Sequence, residues 1–329
     1  MKIVTVVDRY QRRHRWAGFP LAVIYKYADD QGVFLAALIT YYGFLSLFPA
    51  LLLLVTTLGY VLAGNPDAQQ KILDSAFGNF PVIGTQLQHN ITSLHGSPVA
   101  LVVDALGLLY GVLGVGQAAQ LALNRAWAIP RNERPNPIRS RMRSFSFVLI
   151  VGLGLIITTF LTALGSSSGY LNSHAPNVVR ALVIVGSVLT NIALFMLGFR
   201  LLTAKAVAAR DLIHGALVAA FGWQALQALG TTYLSRVIAH SSDIYGIFGI
   251  VLGLVAWIYL GAVITVFAAE VNVVRACKLW PRSLLAPFAD DLPLTSADER
   301  AYVSYAEMRK HKNFEQIEVE FLPPRRGRS

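Results

Sequence analysis

Residues 34–54 read FLAALITYYGFLSLFPALLLL and contain no charged side chain. The uncharged stretch is longer still, because no Asp, Glu, Lys or Arg occurs between Asp30 and Asp67. A helix needs about 20 apolar residues to cross the hydrocarbon core of a bilayer, which is about 30 Å thick. The sequence therefore predicts a first transmembrane helix here, which must tilt, kink or begin in the interface to fit.

Three residues of this stretch, Tyr42, Ser46 and Pro49, recur at helical spacing and so share one face of the predicted helix. Pro49 removes a backbone donor and clashes with the preceding turn, which predicts a kink. Polar groups beside a broken backbone hydrogen bond are unfavourable against lipid. We therefore expect this face either to pack on other helices or to line a polar cleft.

The composition of the whole chain also indicates a membrane protein. Its 329 residues are 55% hydrophobic and only 14% charged, and the mean hydropathy is +0.53. Soluble domains carry about a quarter charged residues. The single cysteine, Cys277, excludes an internal disulfide and a multi-cysteine metal site. The first apolar run is too long for a cleavable signal, so we expect it to remain in the mature protein.

Five further apolar runs predict five more transmembrane helices. They cover residues 99–124, 145–165, 181–199, 212–235 and 244–269. The predicted fold is therefore an all-α polytopic membrane protein with six spans within residues 33–275. Residues 1–32 are a basic segment whose short helix, 19–28, either lies in the membrane interface or packs on the bundle. Residues 65–96 are expected to form an amphipathic outer cap.

Residues 276–329 are soluble in character and nearly neutral, with nine Lys or Arg and eight Asp or Glu. Ser296 and Glu299 are spaced as a capping box, which predicts a helix to about Lys310. The alternation in residues 314–321, FEQIEVEF, favours a strand. This short tail is predicted to be partly disordered, and it lacks the basic stripe of a nucleic-acid-binding protein.

The distribution of basic residues predicts the topology. Six arginines and one acid lie between the second and third predicted spans, and three basic residues lie between the fourth and fifth. The alternate connections carry few basic residues. Cytoplasmic loops are enriched in Lys and Arg, so both termini are predicted to be cytoplasmic. This topology accounts for the net charge of +10 without a nucleic-acid partner.

Several stretches resemble the YihY/BrkB family of inner-membrane proteins. They are residues 35–54, HGALVAAFGWQAL followed by TTYLSR, and IYGIFGIVLGLVAWIYL running into FAAEVNVV; the matching residues are Tyr41, Tyr42, Ser46, Pro49, Gly215, Tyr233, Tyr245, Gly246, Trp257, Tyr259, Glu270 and Asn272. The resemblance covers roughly residues 17–274 and implies a bacterial inner-membrane protein. One member is linked to export of a lipopolysaccharide precursor, which implies a transporter. The family was once labelled a tRNA-processing ribonuclease, but the resemblance supplies no catalytic residues.

Polar side chains recur on four of the predicted spans. The candidates for a substrate cleft are Tyr42, Ser46, Asp104, Gln117, Gln120, Asn124, Asn191, Gln224 and Gln227. An ionisable group within a span, such as Asp104, is costly and is a functional candidate by default. The amides either line a hydrated cleft for an amphiphile with a polar head or form hydrogen bonds between helices.

A second set of residues is predicted to clamp or gate the helices. This set comprises Pro49, Gly246, Glu270 and Asn272. Glu270 ends the last predicted span, where it is expected to pair with an arginine of the inner loops, Arg125 or Arg200. Gly246 favours either tight packing or a hinge. Small residues let helices approach closely, so the ridge of Gly107, Gly111 and Gly114 predicts helix packing.

The inner loops carry Arg134, Arg139, Arg141 and Arg143, which either determine topology or hold an anionic lipid head group. No P-loop, metal-ligand spacing or nucleophile elbow occurs, so neither an enzyme nor a cofactor is predicted. Two hypotheses remain. The first is a transporter of a lipid-like or anionic amphiphile, and the second is a non-transporting scaffold that acts through its outer cap and tail. Membrane lipids are the expected partners, and the sequence does not specify an oligomeric state.

Overall fold

The computed structural model describes residues 8, 11, 13–61, 98–167, 176–237, 246–283 and 293–322. The predicted outer cap, residues 65–96, lies outside these residues. Asp104 lies on a described helix, but its side chain is outside the described part of the structure. All structural statements below concern the described residues.

The described chain is all-helical, as predicted. Its α-helices are α1 (Arg15–Asp29), α2 (Gly32–Val61), α3 (Pro98–Ala126), α4 (Pro137–Ser167), α5 (Pro176–Leu202), α6 (Ala209–Val237), α7 (Gly246–Ala276) and α8 (Ser296–Glu307). A short 3-10 helix, Arg131–Glu133, precedes α4. Each predicted span coincides with one of the long helices α2 to α7.

Four helices are long and apolar enough to cross a membrane. Their qualifying segments are Ala105–Ala126, Ile184–Leu202, Ala209–Gly230 and Val251–Ala276, in α3, α5, α6 and α7. In α2, the described apolar segment is the shorter Gly32–Leu47. The six-span arrangement and the cytoplasmic position of both termini therefore remain predictions.

The long helices form a closed ring in chain order. Each of α2 to α6 packs against the next helix, and α7 closes the ring by packing on α2 and on α6. Helix α3 also contacts α5 and α7. The α2–α3 contact is close because the glycine ridge faces α2: Gly107, Gly111 and Gly114 lie against Pro49, Ser46 and Tyr42, respectively. The polar face of the first predicted span is thus a helix-packing face.

Helix α1 packs against α7, which is the second of the two arrangements expected for it. Its buried face includes Ala22, Val23 and Lys26, and its opposite face exposes Trp16 and Ile24. Together with Val271 and Val274 of α7, the buried apolar residues form one hydrophobic cluster. Helix α1 is therefore part of the folded bundle.

The tail differs from its prediction in two respects. The capping box is one residue earlier than expected, with Thr295 as the N-cap and Asp298 as its partner. The predicted strand in residues 314–321 is wrong, since no strand occurs in the described residues. An alternating sequence forms a strand only when a neighbour pairs with it, and Phe314 is 87% exposed here.

Candidate functional site

Charged side chains are buried where α1 meets α7. Lys26 and Asp30 are each only 1% exposed, and Glu270 is completely buried. The Lys26 ammonium contacts the Asp30 carboxylate directly, and its Nζ lies 3.6 Å from Glu270 Oε2. It also donates a 2.9 Å hydrogen bond to the Ala126 carbonyl. The lysine thereby joins α1, the C-terminal end of α3 and α7.

The tail covers this cluster. The Tyr305 ring of α8 lies 5.0 Å from Lys26 Nζ, in a cation–π contact. Burial by itself lowers the pKa of Lys26, but the attraction of Glu270 and Asp30 outweighs it and raises the pKa above its usual value. Lys26 is therefore protonated, and its ammonium group faces two carboxyl groups, those of Asp30 and Glu270.

A second buried network attaches the tail to α1. Arg282 Nε donates to Asp298 Oδ1 at 3.0 Å, and its Nη1 donates to Asp29 Oδ2 at 2.8 Å. Asp298 also accepts hydrogen bonds from Ser283 and Thr295. Burial tends to raise the pKa of Asp298, but these hydrogen bonds outweigh burial and lower it. Asp298 is thus a buried carboxylate whose two oxygens accept hydrogen bonds from several protein donors.

The predicted clamp at Glu270 has a different partner from the one expected. Glu270 pairs with Lys26 and not with Arg125 or Arg200, because α1 folds back along α7 and brings its lysine to the end of the bundle. Asn272 clamps a different helix pair: its Oδ1 accepts a 2.5 Å hydrogen bond from the Gly215 amide of α6. Pro49 lies against Gly107 on α3, and Gly246 is the first residue of α7.

The cleft candidates whose side chains are described do not surround one common space. Tyr42 and Ser46 pack on the glycine ridge. Gln120 donates to Ser144 Oγ at 2.8 Å and accepts from Ser140 Oγ at 2.9 Å, which joins α3 to α4. Asn124 accepts a 2.8 Å hydrogen bond from the Ala204 amide, just after α5. These amides connect helices.

The side chains of the remaining described cleft candidates are only partly buried or are exposed. Gln224 of α6 donates a 3.3 Å hydrogen bond to Ser187 of α5. Asn191 is half-buried, and Gln117 is exposed, away from the buried Gln120 and Asn124. Gln227 Oε1 is buried without a hydrogen-bond partner among the described residues.

Two of the predicted head-group arginines bind backbone carbonyls, and the other two are exposed. Arg134 donates to the Ile129 carbonyl at 3.2 Å, and Arg143 donates to the Thr203 carbonyl at 3.2 Å. Each arginine therefore binds the backbone just after a helix, α3 or α5. Arg139 and Arg141 are exposed in the first turns of α4. Helix α4 begins earlier than the predicted span, which places these two arginines on a helix and not in a loop.

A groove that was not predicted from the sequence lies between α1, α6 and α7. Its volume is about 650 Å³, and its lining residues are Phe19, His214, Leu217, Val218, Val271, Arg275 and Trp280. Phe19 and Trp280 meet edge to face with ring centroids 5.4 Å apart. His214 Nδ1 is buried without a hydrogen-bond partner among the described residues. Arg275 is exposed, so apolar walls end at two nitrogen-bearing side chains.

The sequence contains only a weak signal for this groove. His214 lies near the start of the fifth predicted span, but its neighbours Phe19 and Trp280 come from distant parts of the chain. Within the described ranges, no cluster of three or more His, Cys, Asp and Glu side chains is arranged to hold a metal ion. The site therefore offers ionic, aromatic and apolar contacts.

Comparison with known proteins gives a consistent family. The family described as Virulence factor BrkB matches residues 23–287, which include Lys26, Asp30, Glu270 and Arg282 but not α8. The chain is 26% identical to the inner membrane protein YhjD of Escherichia coli K12 over 81% of this chain and 83% of that protein.

Two other relatives carry different names. A ribonuclease-like protein of Bacillus subtilis, YfkH, is 23% identical over 75% of this chain and 91% of its own length. A UPF0761 membrane protein of Azotobacter vinelandii is 27% identical over 79% of this chain and 64% of its own length. No solved structure is similar to this chain.

Proposed function

Since this chain belongs to the Virulence factor BrkB family of membrane proteins, we propose that it is a bacterial inner-membrane transporter of an anionic, lipid-like amphiphile. It has six membrane spans in this proposal, with both termini in the cytoplasm, and no enzymatic activity. The observation that supports the proposal best is the groove between α1, α6 and α7. Its walls and its rim match the two chemical halves of such a substrate.

The groove's walls suit an acyl chain. Leu217, Val218 and Val271 supply aliphatic surface, and the Phe19–Trp280 pair supplies aromatic surface. Each buried methylene group stabilises binding by about 0.8 kcal/mol, so even part of a lipid tail gains several kcal/mol. Trp side chains are also typical of the boundary between lipid and water.

The groove's rim suits an anionic head group. Arg275 lies in the last turn of α7 and is exposed, and His214 of α6 lines the groove beside it. A guanidinium group binds phosphate or carboxylate oxygens with two parallel hydrogen bonds. Basic pockets between transmembrane helices on the cytoplasmic side are typical head-group sites. Under the predicted topology, Arg275 lies on that side.

The groove supports this function better than the polar cleft predicted from the sequence. Gln120 and Asn124 already have helix partners. Gln227 retains a buried amide oxygen that receives no hydrogen bond from the described residues, and an acceptor of this kind does not attract an anionic head group.

The proposal is tested by lipid flux in proteoliposomes. The reconstituted chain should move a fluorescent phosphatidylglycerol between leaflets faster than a fluorescent phosphatidylcholine. Val218→Trp, which fills the groove, and Arg275→Gln, which removes the rim charge, should each lower that flux at least tenfold. Leu229→Trp is the matched control, because Leu229 lies on the same helix, is 68% exposed and does not line the groove. Equal flux in empty and protein-containing vesicles would refute transport of this substrate.

One observation favours the second hypothesis, a scaffold. The tail after α8 exposes two large apolar side chains, Phe314 at 87% and Leu322 at 79%. Truncation after Asn313 removes both and leaves α8 in place. Loss of a co-purifying membrane protein with unchanged lipid flux would support the scaffold as an additional role, and unchanged co-purification would contradict it.

A further inference from the structure

The Lys26 cluster has more acid than base. One ammonium group faces two carboxyl groups, those of Asp30 and Glu270, and all three side chains are at most 1% exposed. With both acids ionised, one negative charge is left over inside the protein. A buried ion without a partner costs several kcal/mol even after relaxation, and such groups commonly become neutral instead.

The hydrogen bonds of the cluster are incomplete in the same place. Both oxygens of Glu270 and the Oδ1 atom of Asp30 lack a hydrogen-bond donor among the described residues. Both carboxyl groups face the same ammonium, which contacts Asp30 directly and lies 3.6 Å from Glu270 Oε2. Two facing acceptors repel each other when both are ionised, whereas one proton between them makes a donor and an acceptor.

Asp298 shows that this chain can hold a buried carboxylate in its ionised form. That residue is 1% exposed, pairs with Arg282 and accepts hydrogen bonds from Ser283 and Thr295. Glu270 receives none from the described residues and shares its only nearby cation with Asp30. Both side chains are almost inaccessible to solvent, and what distinguishes them is the number of hydrogen-bond donors that each receives.

The other groups around the cluster do not take up the proton. Helix α3 contributes the Ala126 carbonyl, α1 contributes Tyr27 beside Glu270, and α8 contributes Tyr305 over Lys26. Burial raises the pKa of Tyr27 to about 12 and raises that of Tyr305 as well, so both phenols remain neutral. Asp29 is paired with Arg282. Among the described residues, the Glu270 carboxyl group is the remaining acceptor, because Asp30 contacts the Lys26 ammonium directly.

We infer that the Lys26–Asp30–Glu270 cluster binds one exchangeable proton, held on the Glu270 carboxyl group while Asp30 keeps its direct contact with Lys26. Separation of α1 from α7 would bring Glu270 into water, where its carboxyl group ionises and releases the proton. The cluster is therefore a proton site at the joint that must open if α1 moves. The inference rests on the geometry of the cluster and stands whether or not the protein transports a lipid.

The test is infrared spectroscopy of the purified full chain in lipid nanodiscs near neutral pH. A protonated carboxyl group has a carbonyl stretch that carboxylates lack, and that band shifts in D₂O. We expect this band in the parent protein. Glu270→Gln and Asp30→Asn each leave one acid facing one base, so each should abolish the band. Glu299→Gln is the matched control and should leave it unchanged, because Glu299 is an exposed acid of α8.

Three results would overturn the inference. The first is the absence of the band in the parent, which would mean that both acids are ionised. The second is persistence of the band in both Glu270→Gln and Asp30→Asn. The third is a melting temperature of the parent that rises with Na⁺ while no band is present, which would replace the proton with a cation. Gel filtration shows which variants are folded. The first and third results are measured on the parent protein, so they do not depend on whether any variant folds.

Discussion

Lys26 Nζ lies 3.6 Å from Glu270 Oε2, and this contact joins the first helix of the described chain to the last helix of the ring. Both side chains are completely or almost completely buried. An ion pair in such a place adds little net stability, but loss of one member leaves an uncompensated charge. The contact is therefore a point at which a single substitution has a large effect.

Lys26→Met tests this dependence. It leaves Asp30 and Glu270 buried without a cation and should lower the free energy of unfolding by about 3–5 kcal/mol. Lys205→Met is the control, because Lys205 is exposed. Equilibrium unfolding in mixed micelles measures both. The added change Glu270→Gln should restore part of the loss, and a double variant that shows no restoration would contradict a direct coupling.

The glycine ridge gives a second prediction. A Cβ atom added at Gly111 would lie 2.6 Å from Ser46 Cβ and 2.8 Å from the Ser46 backbone nitrogen, so α2 and α3 must separate to accept it. Gly111→Ala should therefore lower the melting temperature.

Gly152 provides the control for that substitution. A Cβ atom there meets nothing within 4 Å. Ala is favoured over Gly in a helix by up to about 1 kcal/mol, so Gly152→Ala should leave the melting temperature unchanged or raise it. Equal effects of the two substitutions would contradict close packing at the ridge.

Gln120→Leu should weaken the α3–α4 contact. The change leaves Ser144 Oγ without its 2.8 Å donor and the Ser140 carbonyl without its 2.9 Å donor. Unsatisfied buried polar groups cost about 1–3 kcal/mol each. Gln117→Leu, one turn away on the exposed side, should be neutral in the same unfolding assay. A stable Gln120→Leu protein with lost lipid flux would instead favour the polar cleft.

The tail should detach only in acid. Because the pKa of Asp298 is lowered on folding, its stabilisation is fully present above the unfolded value of about 3.9 and is lost as the pH falls through the folded value. Hydrogen–deuterium exchange of the α8 amides should thus show constant protection, after correction for intrinsic rates, from about pH 5 to pH 8.

Two substitutions distinguish the effect of Asp298 on α8 from that of the neighbouring acid, Glu299. Asp298→Ala removes the acceptor for Arg282, Ser283 and Thr295 and should abolish α8 protection throughout that range. Glu299→Ala changes an exposed acid of the same turn and should preserve it. Loss of protection in both variants would indicate a general effect of charge on the helix.

The sequence predicted the helices well because apolar runs bounded by charges leave few alternatives in a membrane protein. It also identified both halves of the α2–α3 contact, the Tyr42–Ser46–Pro49 face and the glycine ridge, without showing that they meet. Periodicity specifies which residues share a face, whereas the partner of that face depends on how the helices assemble.

The errors have the same origin. The sequence predicts an arginine of the adjacent loops as the partner of Glu270, because sequence spacing contains no sign that α1 packs back against α7. The capping box was placed one residue late, since Thr295 with Asp298 and Ser296 with Glu299 fit the same pattern. The groove was missed because its aromatic wall combines Phe19 with Trp280, far apart in the chain.

The Lys26–Glu270 contact also constrains the order of events during synthesis. Lys26 leaves the ribosome early and has Asp30 beside it at once, whereas Glu270, Arg282 and Tyr305 are made only after five of the long helices. We therefore expect helix α1 to remain in water, with its lysine hydrated, while the ring is assembled. This end of the bundle should then close last, after Glu270 and the tail have been synthesised.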